Sequence, residues 1–131
     1  MNILLDTQAL IWSLDSQERL TGKALQSIQD AEIVYVSPIN FFEIAIKSTI
    51  GKSPTIKQSL RDIIEGSVQS GFVWLPLMAS HIEAYTMIPF YDQHRDPFDR
   101  LILAIAFAEQ LNIVSSDHNF SLYQPLVNII W

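Results

Sequence analysis

Apolar residues in this chain fall into short unbroken runs that alternate with longer stretches of helical spacing. Residues 2–5, Asn-Ile-Leu-Leu, read as a short buried strand, and Ala9, Leu10, Trp12 and Leu14 then repeat at the spacing of a helix that opens beside Thr7. Residues 21–28 carry a capping threonine followed by a helical pattern. Residues 33–36 form a second strand, and Ser37-Pro38 supplies an N-cap and a first-turn proline for a helix running to about Ser48. Thr55 opens a further helix whose apolar residues Ile56, Leu60, Ile63, Ile64 and Val68 share one face, with Gly71 as its stop. Residues 72–75 are a third strand ended by Pro76. A short helix at about residues 80–87 leads into the aromatic loop Pro89-Phe90-Tyr91. Asp96-Pro97 then starts a long helix to about Gln110, residues 113–115 form the fourth strand, and residues 127–130 are the candidate fifth.

Strands that are continuous apolar runs, alternating with helices, are the mark of a parallel sheet covered on both faces. The chain is therefore expected to be α/β, and its 131 residues fit a single domain spanning 1–131. In such a sheet all strands point one way, so Asp6 and Asp117, each just past a strand, lie along the same edge. That carboxyl edge is where open α/β sheets bind ligands.

Two further acids lie inside apolar helices. Glu43 falls at the border of the stripe made by Ile39, Ile46 and Ile50, and Asp99 projects on the side of Ile102, Leu103 and Ala106. Each of the four also has a plain structural reading. Asp6 fits a helix cap, Glu43 an i,i+4 pair with Lys47, Asp99 the first turn of a helix capped by Asp96, and Asp117 a polar turn with Ser115, Ser116, His118 and Asn119. Together they are harder to dismiss, because carboxylates gathered beside hydrocarbon repel one another and need a partner. The nearby bases are too few to be that partner. With no cysteine in the chain, a metal would be held by oxygen or imidazole, and an oxygen-rich site suits Mg²⁺ or Mn²⁺.

Composition narrows the field further. With 49% hydrophobic and 17% charged residues the chain is globular in character. The absence of a basic amino-terminal region and of any membrane-length apolar run leads to the expectation of a soluble cytoplasmic protein without a signal peptide or membrane span. The net charge of −6 is the wrong sign for broad electrostatic binding of nucleic acid, although discounting the four acids leaves −2. A haloacid-dehalogenase-type phosphatase would need a second acid at Gln8. A receiver domain would need its aspartate at Trp74-Leu75-Pro76, and a dinucleotide or P-loop site would need glycine in Asp6-Thr7-Gln8-Ala9.

The motifs Leu4-Leu5-Asp6-Thr7, Ser37-Pro38-Ile39-Asn40-Phe41-Phe42-Glu43-Ile44-Ala45, His94-Arg95-Asp96-Pro97-Phe98-Asp99-Arg100 and Val114-Ser115-Ser116-Asp117 occur in an order that resembles PIN-domain ribonucleases, specifically VapC-like toxins of toxin-antitoxin pairs. The resemblance runs from the first strand to the last. It implies a three-layer fold with a central parallel sheet of four to five strands in the order 3-2-1-4-5, with Mg²⁺ or Mn²⁺ at its carboxyl edge. The residues matching the metal site are Asp6, Glu43, Asp99 and Asp117, with Asp96 close enough to contribute or substitute. It further implies hydrolysis of RNA phosphodiesters, a homodimer, and neutralisation by a small VapB-like antitoxin.

On that reading Asp6 and Asp99 are the central ligands, while Glu43 and Asp117 are outer ligands or groups that position water. Thr7 and Ser115 are hydroxyls that orient carboxylates. Lys47, Lys52, Arg95 and Arg100 are candidate RNA contacts, with Arg100 equally able to pair with an acid. His94 and His118 are expected in loops. Trp12, Trp131, Phe90 and Tyr91 suit either core or a partner surface, and core is the commoner outcome. The rival from another class is a PIN-like module that binds a partner without cleaving anything.

Overall fold

The computed structural model describes residues 1–51 and 58–131. In chain order its elements are β1 (Asn2–Leu5), α1 (Thr7–Asp15), α2 (Gly22–Asp30), β2 (Ile33–Val36), α3 (Pro38–Thr49), α4 (Leu60–Gln69), β3 (Val73–Trp74), α5 (Ala79–Tyr85), α6 (Pro97–Glu109), β4 (Asn112–Val114) and β5 (Ile129–Ile130). The five strands form one sheet, all parallel, in the order β3-β2-β1-β4-β5.

The sheet is buried on both sides because its residues alternate between two apolar layers. Ile3 and Leu5 of β1 join Val34, Val36, Val114 and Ile130 against α1, α2, α3 and α4. Leu4 and Ile113 point the other way, into a layer filled by α5, α6, Phe120, Tyr123 and Val127. This is the three-layer arrangement that continuous apolar strands require. Among the described residues no helix is long and apolar enough to cross a membrane.

Helix starts follow the chemistry of their caps. The side chains of Asp6, Thr21, Ser37, Ser59 and Asp96 each accept a backbone N–H in the first turn of the helix that follows, and Pro38 and Pro97 occupy first-turn positions where no N–H is needed. Gly71, at φ 80°, takes the left-handed conformation that stops the chain after α4. The expected opening at Thr55, with Ile56, lies outside the described residues; the described helix begins at Leu60.

The edge strand differs from expectation. β3 spans only Val73–Trp74, forms the edge of the sheet among the described residues, and has both residues exposed, with the Trp74 ring partly covered where it stacks on Phe41 at 4.6 Å. Two 3-10 turns, Gln17–Arg19 and His118–Tyr123, also escape the periodicity, being too short to show one. Trp12 and Trp131 pack together against the first layer at 5.9 Å, whereas Phe90 is exposed.

Chain direction sets the location of a site. The chain leaves β1 outward to β2 and β3, then crosses back to place β4 on the other side of β1, so the order reverses between β1 and β4. The crevice at such a reversal opens at the carboxyl ends of the two strands. The ladder continues through Asp6 N–H to the Val114 carbonyl at 3.1 Å, which seats Asp6 beside Ser115 at that edge.

Candidate metal centre

Asp6 is both cap and cleft residue. It is only 7% exposed, and its Oδ1 accepts the Ala9 N–H at 2.7 Å, so one oxygen is spent on α1. The Ser115 hydroxyl, just past the end of β4, stabilises the charged form. Ser115 Oγ accepts the Asp117 N–H at 3.1 Å, which leaves its own proton free to face Asp6.

Glu43 reaches the same cleft from α3. The Thr7 hydroxyl donates to Glu43 Oε1 at 2.6 Å, and Lys47 Nζ stands 3.5 Å from Oε2. The i,i+4 pair and the inward-facing acid therefore coexist, one on each oxygen. Beneath them Asn40, fully buried, donates to the Leu5 carbonyl at 3.0 Å and turns its own carbonyl towards Thr7. Asn40 thus ties α3 to the end of β1. The signal for it was a lone amide in an otherwise apolar helix, one turn before Glu43.

Helix α6 brings Asp99 and Asp96. Asp96 is exposed and caps the helix, its Oδ1 accepting the N–H groups of Phe98 at 2.8 Å and Asp99 at 3.3 Å. Its carboxylate nevertheless stands with those of Glu43 and Asp99, ligand atoms within 4.8 Å of one another. Asp117, capping the 3-10 turn through Asn119 N–H at 2.9 Å, forms a second group of that spacing with Asp99 and His94. Asp99 belongs to both. His94 lies in the loop ahead of α6, as expected, but it is buried there: it is 4% exposed, with Nε2 3.3 Å from Asp99 Oδ2 and Nδ1 2.9 Å from the Tyr123 hydroxyl.

The basic candidates scatter. Lys47 lines the cleft. Arg95 is exposed and pairs with Asp92 at 2.9 Å. Arg100 is corrected most: only 3% exposed, it donates to the Pro89 carbonyl at 2.8 Å, with Tyr85 and Phe90 flanking its guanidinium, so it meets neither an acid nor solvent where a phosphate would arrive. Its polar group is satisfied inside the fold because α6 turns that face inward. Lys52 lies outside the described residues.

The cleft, about 320 Å³, is lined by Asp6, Thr7, Gln8, Glu43, Lys47, Asp96, Asp99, Ser116 and Asp117. Larger hollows of about 640 Å³ and 400 Å³ lie elsewhere, each with a single acid, Glu83 or Glu32. Chemistry rather than volume singles out the smaller one. Burial pushes the Asp6 carboxyl up to about 7, against the pull of Ser115 and the Ala9 N–H, and the charges of Asp99 and Glu43 add to the rise. Burial, then the charge of Asp96, raises Asp99 to about 6, with Glu43 adding and His94 opposing.

Left to itself the cleft therefore resists full ionisation of Asp6 and Asp99 as pH rises towards neutrality. A dication fits the donor set, which is hard oxygen throughout once His94 has both ring nitrogens engaged. The ligand atoms of Glu43, Asp96 and Asp99 lie within 4.8 Å of one another, a spacing that one small dication can span.

The family model described as PIN domain matches residues 3–124. No curated protein matches the chain. Among solved structures, VapBC2 from Rickettsia felis bound to a DNA fragment from their promoter is similar over 98% of this chain and 97% of that one, at 16% identity and a TM-score of 0.70. FitAcB from Neisseria gonorrhoeae covers 98% and 96% at 24% identity and TM-score 0.67. VapBC-5 from Mycobacterium tuberculosis, of the VapBC family of toxin-antitoxin systems, covers 98% and 96% at 18% identity and TM-score 0.66.

Proposed function

This chain belongs to the PIN-domain family, and from that premise we propose that it is a Mg²⁺- or Mn²⁺-dependent endoribonuclease, the VapC-like toxin of a toxin-antitoxin pair. The carrying observation is the gathering of Asp6, Glu43, Asp96, Asp99 and Asp117 around one cleft in which, among the described residues, Lys47 is the single lysine or arginine. Asp6, Glu43, Asp99 and Asp117 are the proposed metal-site residues, with Asp96 at the exposed rim. When bound, the dication supplies Lewis-acid activation of water and neutralises charge developing on the phosphodiester.

The chain's own residues set the stage for that chemistry. Thr7 fixes one oxygen of Glu43, Ser115 orients Asp6, and Asn40 holds the two strand-to-helix turns at a constant distance. Among the described residues Lys47 is the one cleft base able to meet a phosphate, which suits a substrate recognised at the bond to be cut rather than over a broad basic face. Solved relatives in fold that are VapBC complexes support a small VapB-like antitoxin as partner, and a cytoplasmic homodimer of one domain per chain is part of the same proposal.

The test is cleavage of total RNA by purified protein with Mn²⁺, with and without EDTA, alongside Asp6→Asn. Cleavage that needs the metal and disappears in the variant is expected, and sequencing the new ends then identifies the substrate. Full metal-dependent cleavage by Asp6→Asn would overturn the place given to Asp6. A folded wild-type protein that cuts no RNA with any dication, yet captures a partner, would make this a binding module.

A further inference from the structure

Behind Asp99, away from the cleft, lies a file of buried polar groups that the proposed reaction does not use. Arg100, the next residue on α6, donates Nη1–H to the Pro89 carbonyl at 2.8 Å and to the Tyr123 hydroxyl at 3.3 Å, and Nε–H to the Tyr85 hydroxyl at 3.4 Å. Tyr123 is 1% exposed and faces His94 Nδ1 at 2.9 Å; His94 is 4% exposed and faces Asp99 Oδ2 at 3.3 Å. The Tyr91 ring closes over Tyr123 edge-on at 5.2 Å, while its own hydroxyl is taken by the Leu122 carbonyl. The file returns to where it began, since Asp99 and Arg100 are neighbours in sequence.

Its direction is fixed by one member. A guanidinium has donors and no acceptor, so the Tyr123 oxygen accepts from Arg100 and its proton must go elsewhere. The remaining partner is His94 Nδ1, which is therefore the bare nitrogen, and the ring proton sits on Nε2, aimed at Asp99. Burial raises the Tyr123 pKa, which keeps that proton in place. With both ring nitrogens occupied, His94 has no nitrogen to offer a metal, which leaves Asp99 and Asp117 as the donors of the group that contains the histidine.

We propose that Arg100, Tyr123 and His94 form a one-way hydrogen-bond relay that locks the His94 tautomer and thereby holds the Asp99 carboxylate in its orientation towards the cleft. This makes His94 and Tyr123 positioning residues. The proposal rests on Asp99 being a ligand for its functional meaning, but not for the tautomer it requires. It also accounts for an arginine in the apolar side of α6: Arg100 supplies the donor that polarises the file, in place of contacting a phosphate.

The experiment uses Tyr123→Phe, which removes one oxygen, and reads the ¹⁵N shifts of the His94 ring together with Mn²⁺ binding by calorimetry. In the wild type, protonated Nε2 and bare Nδ1 are expected; in Tyr123→Phe the two tautomers mix and Mn²⁺ affinity falls about tenfold, the scale of losing an outer hydrogen bond to a ligand. His94→Gln, whose amide N–H can replace Nε2–H, is expected to retain more affinity than His94→Leu, with thermal midpoints recorded to separate binding from folding. A wild-type ring protonated on Nδ1, or a Tyr123→Phe protein with the same tautomer and the same Mn²⁺ affinity, overturns the relay. Should the wild type bind no Mn²⁺, the metal reading falls by itself and the ring shifts still decide the relay.

Discussion

Helix α6 carries an acid near each end, each against a buried histidine, and the two ends differ in what surrounds the pair. At the carboxyl end His81, fully buried, accepts the Met78 N–H on Nδ1 at 3.1 Å and meets Glu109 Oε1 through Nε2 at 2.7 Å. The pair fastens the first turn of α5 to the last turn of α6. At the amino end the contact from His94 to Asp99 is longer, 3.3 Å, yet Asp99 also stands among Asp6, Glu43, Asp96 and Asp117. Among the described residues Glu109 belongs to no such gathering. A histidine beside a carboxylate is thus not a site in itself. What distinguishes the amino end is negative charge in excess of anything pairing can cancel, and that excess is what calls for a cation.

Matched changes at the two ends test this most directly. Asp99→Asn keeps the shape and leaves His94 Nε2–H a carbonyl to donate to, but removes a charge from the cleft. Metal-dependent cleavage is expected to drop by more than about a hundredfold, the scale of losing one electrostatic stabiliser, while the thermal midpoint in EDTA holds or rises because a repelling carboxylate has gone. Cleavage within tenfold of wild type in initial-rate assays would erase the contrast between the two ends.

A smaller effect follows from acidity. Asp6 titrates near 7 in the folded protein against an ordinary 3.8, and Asp99 near 6. Between those limits the folded chain keeps protons that the unfolded chain has released, so the contribution of these two groups to stability is fully present below about 4 and is lost as pH rises towards and through 7. Without metal the thermal midpoint should fall between pH 5 and pH 8, and the fall should be shallower in Asp6→Asn. With Mn²⁺ the order reverses, since binding needs the charged form: protection by the ion should grow over the same window. Differential scanning fluorimetry of both proteins checks the sign, and equal slopes would mean that Asp6 is already charged.

The amino-acid pattern makes the scaffold legible because its signals are local. Capping side chains at Asp6, Thr21, Ser37 and Asp96, prolines at 38 and 97 and unbroken apolar strands set nearly every boundary, and the four acids stood out together as more negative charge than the nearby bases can cancel. The groups that hold those acids did not. Asn40 reads as a tolerated polar residue until β1 lies beside it, and the burial of the loop residue His94 is not legible because it comes from Phe120 and Tyr123, more than twenty residues away. Arg100 was misjudged for the same reason: its partners Pro89 and Tyr123 come from separate segments. Long-range burial decides the state of a polar side chain, and periodicity carries no record of it.

The mildest change sharpens the comparison from the carboxyl end of α6. Because the Met78 N–H donates to Nδ1, His81 carries its proton on Nε2 and is neutral, so Glu109 serves as an acceptor and not as a counterion. Glu109→Gln preserves an acceptor oxygen at that place. It also removes a negative charge from the last helical turn, where the dipole disfavours an anion by roughly 0.3–1 kcal/mol. Little net loss is therefore expected, within about 0.5 kcal/mol of wild type by urea midpoint, with cleavage unchanged. His81→Leu, by contrast, strands the Met78 N–H at the start of α5 and should cost about 1–3 kcal/mol. If Glu109→Gln proved as damaging as His81→Leu, His81 would have to be an imidazolium held by a true ion pair, and the two ends of α6 would be more alike than their surroundings imply.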